Sequence, residues 1–292
     1  MGQKDNHIDK HMDEYIKEIS EKIDGKRKYY AEISNKIWEY AEPRFQEYKS
    51  SELLRQSLKE EGFSVRSNLA GEETAFIAEY GSGKPVIGFL GEFDALPGLS
   101  QKADATERIP EADHANGCGH GCGHQLIGTG TLASVIALKD FMKKHNLTGT
   151  IRYYGCPAEE IMSGKIVMNA AGVFDELDVG VMWHPFDRNR ISNDIWQSQD
   201  IKNYTFHGIS AHASKSPENG RSALDAAELM NIGVNYLREH VSDDVRMHYA
   251  YLDNGIPANV VPDIAKTNYF IRSAKRSRTE DASRRVDDCA RG

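Results

Sequence analysis

The reactive side chains of this 292-residue sequence are concentrated in one glycine-rich stretch, NGCGHGCGHQLIGTG, at residues 116–130. Its fifteen positions hold two cysteines, two histidines and six glycines, although the whole chain has only four cysteines and eleven histidines. Thiolate and imidazole groups are common ligands of zinc-like ions in proteins. The stretch is therefore either a metal-ligand loop or a glycine-rich turn that happens to hold thiols.

Further polar clusters follow apolar, strand-like runs of the sequence. Glu92 and Asp94 come at the end of one run, Glu159 and Glu160 after a second, and His184 after a third. Because open α/β sheets bind ligands at the carboxyl ends of their strands, we expect these groups to surround one rim. Each alone is more often a solvated residue or a helix cap. Together they offer the mixture of ligands that suits a divalent, zinc-like ion.

The segments that must position these groups alternate between strand-like and helix-like patterns. The first 62 residues have helical periodicity, and helices are also predicted at 125–145 and about 161–171. The predicted strands lie between the helices, at 74–80, 85–93, 151–156 and 178–183. This alternation predicts βαβ units and a mostly parallel sheet, and hence an α/β domain at residues 1–198.

The order of predicted strands and helices changes after about residue 198. A strand at 200–207 and a helix of about 222–239 precede two further strands and a charged helix, predicted at 247–253, 260–272 and 277–290. The β-α-β-β-α order predicts a smaller two-layer α+β unit at residues 199–292, in which a sixth element is missing.

Composition limits the classes of function. The formal net charge of −8 argues against general affinity for nucleic acid or anionic membranes. Four unevenly spaced cysteines do not form a secreted disulfide framework. The N-terminus has no apolar signal segment, and no apolar run approaches the roughly 18 residues of a membrane helix. We therefore expect a cytoplasmic protein.

Six motifs in order carry a resemblance to a known family. They are GEFDALPG, GCGHQLIGTG, CPAEE, WHP, AHASKSPENGRSALDA and NVVP. From about residue 30 to the end, the chain resembles the aminoacylase and carboxypeptidase family of two-metal amidohydrolases. The resemblance implies a catalytic α/β domain interrupted by a ferredoxin-like α+β lid that also dimerises. It further implies hydrolysis of an N-acyl or N-aroyl amino acid with two divalent ions, zinc or manganese.

The resemblance also implies roles for the clustered residues. The implied metal ligands are Cys122, His124, Glu160 and His184. Glu159 corresponds to the family's general base, and Asp94 resembles a carboxylate that orients ligands. On the lid, His212 corresponds to a histidine that reaches the active site of a partner subunit.

The lid is also expected to hold the substrate. Asn259 and Arg272 resemble lid residues that bind the substrate's carboxylate, since arginine suits bidentate carboxylate binding. For Arg272 an exposed strand position without function is the alternative. The partner subunit is either an identical chain or a related one.

Several features depart from the family pattern. The family's His-x-Asp is Glu92-Phe93-Asp94 here, and Glu92 is either an additional ligand or merely polar. Gln125 replaces the usual Asn or Asp. Cys118 and His120 lie outside the family's motif and are interpreted as loop residues. Members of the family also continue with more strands and a last metal-binding histidine, which the resemblance places beyond residue 292.

Two alternatives to an amidohydrolase follow from these observations. In the first alternative, the chain is a catalytically impaired remnant that acts as a dimerisation or interaction module. In the second, it is a structural zinc or redox-thiol protein. Paired glutamates favour the enzyme, because a structural zinc site has no need of them.

Overall fold

The computed structural model describes residues 2–111, 117–191, 196–253 and 257–292. For residues 2–10 it describes the backbone only. The chain divides into two compact units, 1–189 and 190–292, each with its own hydrophobic core. The functional assignment of 1–198 and 199–292 stays a prediction. Among the described residues, no helix has the length and apolar character that crossing a bilayer requires.

Helices form the first layer of the first unit. They are α1 (Gly2–Gly25), α2 (Arg27–Tyr40) and α3 (Tyr48–Glu60). Buried Tyr30, Ile33 and Ile37 recur at helical spacing on α2 and pack in the main core. The helix ends at Tyr40. Ala41, the next residue, donates its N–H to the Ile37 carbonyl and turns the chain out of the helix with a left-handed conformation (φ 42°).

A five-stranded sheet lies beside these helices, in the order β1-β2-β4-β3-β5. Its strands are β1 (Ser64–Leu69), β2 (Glu72–Ser82), β3 (Val86–Glu92), β4 (Gly149–Cys156) and β5 (Val179–Val181). The β3–β4 and β3–β5 pairs are parallel, whereas β1–β2 and β2–β4 are antiparallel.

The sheet is therefore mixed. The prediction of a mostly parallel sheet is confirmed for β3, β4 and β5, whereas β2 pairs antiparallel with both of its neighbours. The physical reason begins at the turn of Ala70 and Gly71, which both have positive φ (56° and 82°). A two-residue turn of this kind closes a hairpin, which forces β1 and β2 to run antiparallel.

Helices connect the parallel strands of the sheet. The long helix α4 (His124–His145) lies between β3 and β4, and α5 (Gly164–Ala170) lies between β4 and β5. At the core, the Phe76 ring packs flat against strand β4, where a Cβ on Gly155 would lie 2.1 Å from Phe76 Cε1. Beyond β3, the edge strand β5 has all three of its residues exposed, including Val179 and Val181.

The second unit has two layers. Its elements are β6 (Ser198–His207), α6 (Ala223–Leu237), β7 (Arg246–Asp253), β8 (Ile264–Ser273) and α7 (Arg276–Arg291). The antiparallel sheet has the order β6-β8-β7. Alternate residues of β8 are buried, and Tyr269 and Ile271 pack with Met230, Val234 and Val286 of the helices. The observed β-α-β-β-α order is the order predicted from the sequence.

Candidate metal centre

The parallel strands bring the predicted polar clusters to one edge of the sheet. Glu92 ends β3 in register with Cys156, which ends β4. Glu159 follows β4 by three residues, and His184 follows β5 by three. Because parallel strands end at the same edge, side chains that are distant in sequence meet there.

His124, the first residue of α4, lies at the centre of this group. It is fully buried, and its Nδ1 lies 2.8 Å from Asp94 Oδ1, which leaves Nε2 for a ligand. The other oxygen of Asp94 accepts the Glu160 backbone N–H at 2.9 Å. Asp94 thus orients both the imidazole and the turn that carries the paired glutamates.

Three carboxylates surround His124 Nε2. The distances are 3.4 Å to Glu92 Oε2, 3.7 Å to Glu159 Oε2 and 3.8 Å to Glu160 Oε1. Burial alone would lower the pKa of His124, but the hydrogen bond and charge of Asp94 and the charges of Glu92 and Glu160 raise it. The site therefore favours a positive charge at its centre.

Cys122 and His184 also lie close to His124. Cys122 Sγ lies 3.3 Å from His184 Nε2, and His184 Nδ1 lies 2.9 Å from the Pro185 carbonyl oxygen. That carbonyl fixes the proton on Nδ1 and leaves Nε2 as an acceptor. Burial, with the charges of Glu160 and Glu159, raises the pKa of Cys122 to about 11, so without a cation the thiol stays protonated at neutral pH.

These donors fit a divalent ion. Two sets have ligand atoms within 4.8 Å of one another, Cys122 with His124 and His184, and Glu92 with His124 and Glu159. Ligands about 2.1 Å from a tetrahedral ion are about 3.4 Å apart, close to the shortest separations seen here. In addition, His124 Nε2, Glu92 Oε2 and Glu160 Oε1 are buried without a hydrogen-bond partner in the described part of the chain. Buried polar atoms of this kind are rare unless a ligand satisfies them.

The turn that carries the glutamates is fixed by a carboxylate that the sequence did not reveal. Ala158 has a left-handed backbone (φ 52°), and its N–H donates to Glu47 Oε1 at 2.8 Å. Fully buried Glu47 also accepts from the Phe45 N–H at 2.9 Å and the Thr74 hydroxyl at 3.1 Å. Burial raises the pKa of Glu47 to about 7. Its only sequence signal is an acidic residue in a polar loop, which does not distinguish it from solvated neighbours.

The first Cys-Gly-His points away from the centre. Cys118 and His120 are buried, and His120 Nε2 lies 3.0 Å from the Ile37 carbonyl oxygen of α2. Neither residue belongs to the candidate ligand sets of the described chain. Asn116, at the start of the stretch, lies outside the described residues. A structural role for Cys118 and His120 agrees with this placement.

The second unit brings two of its three predicted residues together. Exposed His212 pairs through its backbone with Val260, and the Asn259 carbonyl accepts the Ala213 N–H at 3.1 Å. Arg272 lies on β8, where its guanidinium is 5.4 Å from the Phe270 ring centroid. Gln125, beside His124 on α4, is buried.

Known proteins share both the sequence and the fold. Residues 88–194 match the model of peptidase family M20/M25/M40. The chain is 42% identical over 282 residues to one subunit of p-aminobenzoyl-glutamate hydrolase of Escherichia coli (strain K12), covering 96% of this chain and 58% of that protein. It is 27% identical over 285 residues to Xaa-Arg dipeptidase of Mus musculus, covering 93% and 61%. The chain thus spans less than two thirds of these relatives.

Solved structures support the fold. Aminobenzoyl-glutamate utilization protein from Klebsiella pneumoniae superposes with a TM-score of 0.70 at 20% identity, covering 94% of this chain and 74% of that one. The Bacillus subtilis YXEP protein, a dinuclear metal binding peptidase, superposes with a TM-score of 0.62 at 23% identity, covering 91% and 70%.

Proposed function

Because the chain belongs to peptidase family M20/M25/M40, we propose that it forms part of a metal-dependent amidohydrolase that cleaves N-acyl or N-aroyl amino acids. The observation that carries the proposal is buried His124, oriented by Asp94 and surrounded by thiol, imidazole and carboxylate donors. Its 42% identical relative is named as part of a p-aminobenzoyl-glutamate hydrolase, which makes p-aminobenzoyl-glutamate the first substrate to test.

The metal ligands in this proposal are Cys122, His124, Glu160 and His184. When bound, divalent ions would supply Lewis acidity at the amide carbonyl and would make water acidic enough to ionise near neutral pH. Both zinc and manganese suit the proposal, since the donors include thiolate and imidazole as well as carboxylate oxygen.

The paired glutamates have unlike surroundings, which supports unlike roles. The Glu159 side chain is 31% exposed and that of Glu160 is 16% exposed, and the Glu160 N–H is bonded to Asp94. Burial raises the pKa of both glutamates, so the assignment of the base rests on the greater exposure of Glu159 and on the bond from the Glu160 N–H to Asp94. In the proposal, Glu159 removes a proton from the attacking water and transfers it to the leaving amine.

The second unit is proposed as the lid. His212 has an exposed imidazole whose Nδ1 accepts the Ser214 N–H at 3.2 Å, so Nε2 is the atom that can donate to an oxyanion or a carboxylate. Asn259, in the adjoining loop, and Arg272, on β8, are proposed to bind the substrate's carboxylate.

We further propose that the lid associates with a second subunit, either an identical chain or a related one. One face of α6 exposes Leu229, Ile232 and Tyr236 at helical spacing. Exposed apolar groups in a row indicate an interface. Two similar Escherichia coli proteins are named as the two different subunits of p-aminobenzoyl-glutamate hydrolase, which supports a related partner. The four free thiols support a reducing, cytoplasmic compartment.

The test compares Glu159→Gln with Glu160→Ala in the metal-loaded protein, with exposed Glu73→Gln as a control. Glu160→Ala should lower metal per chain and the stabilisation by excess zinc, because it removes a ligand. Glu159→Gln should keep the metal and reduce p-aminobenzoyl-glutamate hydrolysis by about 10²–10⁴-fold, the usual contribution of a general base.

The alternative is that both glutamates only cap the N-terminus of the helical turn that follows. The two variants should then show similar small losses of stability and no change in metal content. Loss of metal in Glu159→Gln, or turnover at the parent rate, would show that the base is assigned wrongly. A parent that holds metal without turning over substrate would favour the interaction-module alternative.

A further inference from the structure

Glu92 replaces the histidine that the family's His-x-Asp pattern leads one to expect. It ends β3, is 2% exposed, and has unlike partners at its two oxygens. Oε1 accepts a hydrogen bond from the Lys165 ammonium. Oε2 has no hydrogen-bond partner in the described part of the chain and lies 3.4 Å from His124 Nε2.

An ion pair with Lys165 does not by itself account for this arrangement. Leaving a buried carboxylate oxygen unsatisfied costs free energy, and the cost is greater for a charged group than for a neutral one. The carboxylates at the centre are Glu92, Asp94, Glu159 and Glu160, and Lys165 is the one lysine that contacts them in the described chain. The negative charge exceeds what one ammonium compensates, so the free oxygen points into a region suited to a cation.

The position of Oε2 also meets the geometric requirement for a ligand. A separation of 3.4 Å from His124 Nε2 equals the distance expected for two ligands about 2.1 Å from one tetrahedral ion. Glu92, His124 and Glu159 form one set of possible ligand atoms. His124 also belongs to the second set, with Cys122 and His184.

We propose that Glu92 is itself a metal ligand, binding through Oε2, and that Lys165 is a positioning residue that holds Oε1. This inference rests on the proposed metal-dependent function and adds to its ligands. Lys165, on α5, fixes the carboxylate so that one oxygen is presented to the ion. The centre then has one more carboxylate ligand than the resemblance to the family implies.

The experiment measures zinc and manganese affinity by calorimetric titration in the full chain and in Glu92→Gln and Lys165→Met. Metal per chain after dialysis and the melting temperature in EDTA are recorded in parallel. Glu92→Gln removes the ligand charge, so the affinity of at least one ion should fall by 10-fold or more, since even indirect partners of ligands contribute about 10–100-fold. Lys165→Met should also bind metal more weakly than the parent, because Oε1 is no longer held, but the loss should be smaller than in Glu92→Gln, since Oε2 remains.

A purely structural ion pair predicts the opposite pattern. Both variants would then lose stability in EDTA, and Glu92→Gln would bind metal with the parent's affinity, which would overturn the proposal. If Glu92→Gln does not fold in EDTA, Glu92→Asp serves instead. It keeps the charge and withdraws the oxygens by one methylene group, so the ligand assignment predicts weaker metal binding, whereas unchanged binding would overturn it.

A Cys122→Ser variant separates this inference from the proposed function. Weaker binding in Cys122→Ser with parent affinity in Glu92→Gln would refute the role of Glu92 and leave the metal centre in place. Absence of metal binding in the parent itself would refute the metal-dependent function, and with it the ligand role of Glu92.

Discussion

Replacement of Glu47 by glutamine is expected to stabilise the protein at alkaline pH. Glu47 is fully buried, and burial raises its pKa from 4.5 to about 7. A raised carboxyl pKa means that the folded chain keeps a proton that the unfolded chain releases. The resulting stability is present below pH 4.5 and is lost as the pH rises to about 7.

The magnitude follows from those two pKa values. At about 1.4 kcal/mol per pH unit, the raised pKa lowers the stability of the folded chain, relative to its value well below pH 4.5, by about 3 kcal/mol at pH 8 and about 1 kcal/mol at pH 5. Glutamine avoids this cost and keeps the contacts, because its carbonyl accepts the Phe45 and Ala158 N–H groups and its amide donates to Thr74. At roughly 2–4 °C per kcal/mol, the melting temperature of Glu47→Gln should exceed that of the parent by about 6–12 °C at pH 8.

The assay is thermal unfolding in EDTA between pH 5 and 8.5, so that metal binding does not contribute. The measured quantity is the difference between variant and parent at each pH, with Glu73→Gln as the control for loss of an exposed carboxylate. The difference should grow with pH for Glu47→Gln and stay flat for the control. A variant less stable than the parent at pH 8 would refute the reasoning, since it would mean that the three donors hold Glu47 ionised.

Two further predictions concern association and packing. Leu229→Glu on the exposed face of α6 should shift the dimer towards monomer in sedimentation, whereas the exposed control Glu228→Gln should not. A parent that sediments as a clean monomer at high concentration would contradict the interface. Gly155→Ala should lower the free energy of unfolding in urea by about 1–3 kcal/mol, because its Cβ would lie 2.1 Å from Phe76. Gly180→Ala on β5, with open space around its Cβ, should change it little, and equal losses would show that the clash is relieved without cost.

The sequence predicted the elements with strong apolar periodicity and the groups at their ends. Strand β3 is a nearly continuous apolar run, and strand β4 and helix α4 are mostly buried, so the meeting of Glu92, Asp94 and His124 at one edge could be expected. Strand β1 could not, because its mostly polar residues are largely exposed at the sheet edge and lack an apolar pattern. Because β1 could not be predicted, its antiparallel pairing with β2 could not be predicted either.

The supporting residues of the centre were missed for a related reason. Glu47 and Lys165 act through long-range contacts, with Ala158 at a separation of 111 residues and with Glu92 at 73. Local patterns carry no information about contacts at such separations, and a lone charged residue usually indicates solvent exposure. Cys122 and His124 could be singled out as candidate ligands because the two residues are close together in the chain.

The edge strand β5 has a consequence for the behaviour of the chain in concentrated solution. Val179 and Val181 are exposed, and in the described chain the outer side of β5 pairs with no other strand. Such an edge presents free backbone donors and acceptors beside apolar side chains, which is the template on which another strand can add. Met182, Trp183 and Phe186, which follow β5 in the chain, are exposed as well. We therefore expect aggregation of this chain to begin at β5. A single lysine placed on β5 should reduce it, because a charged side chain opposes the addition of another strand.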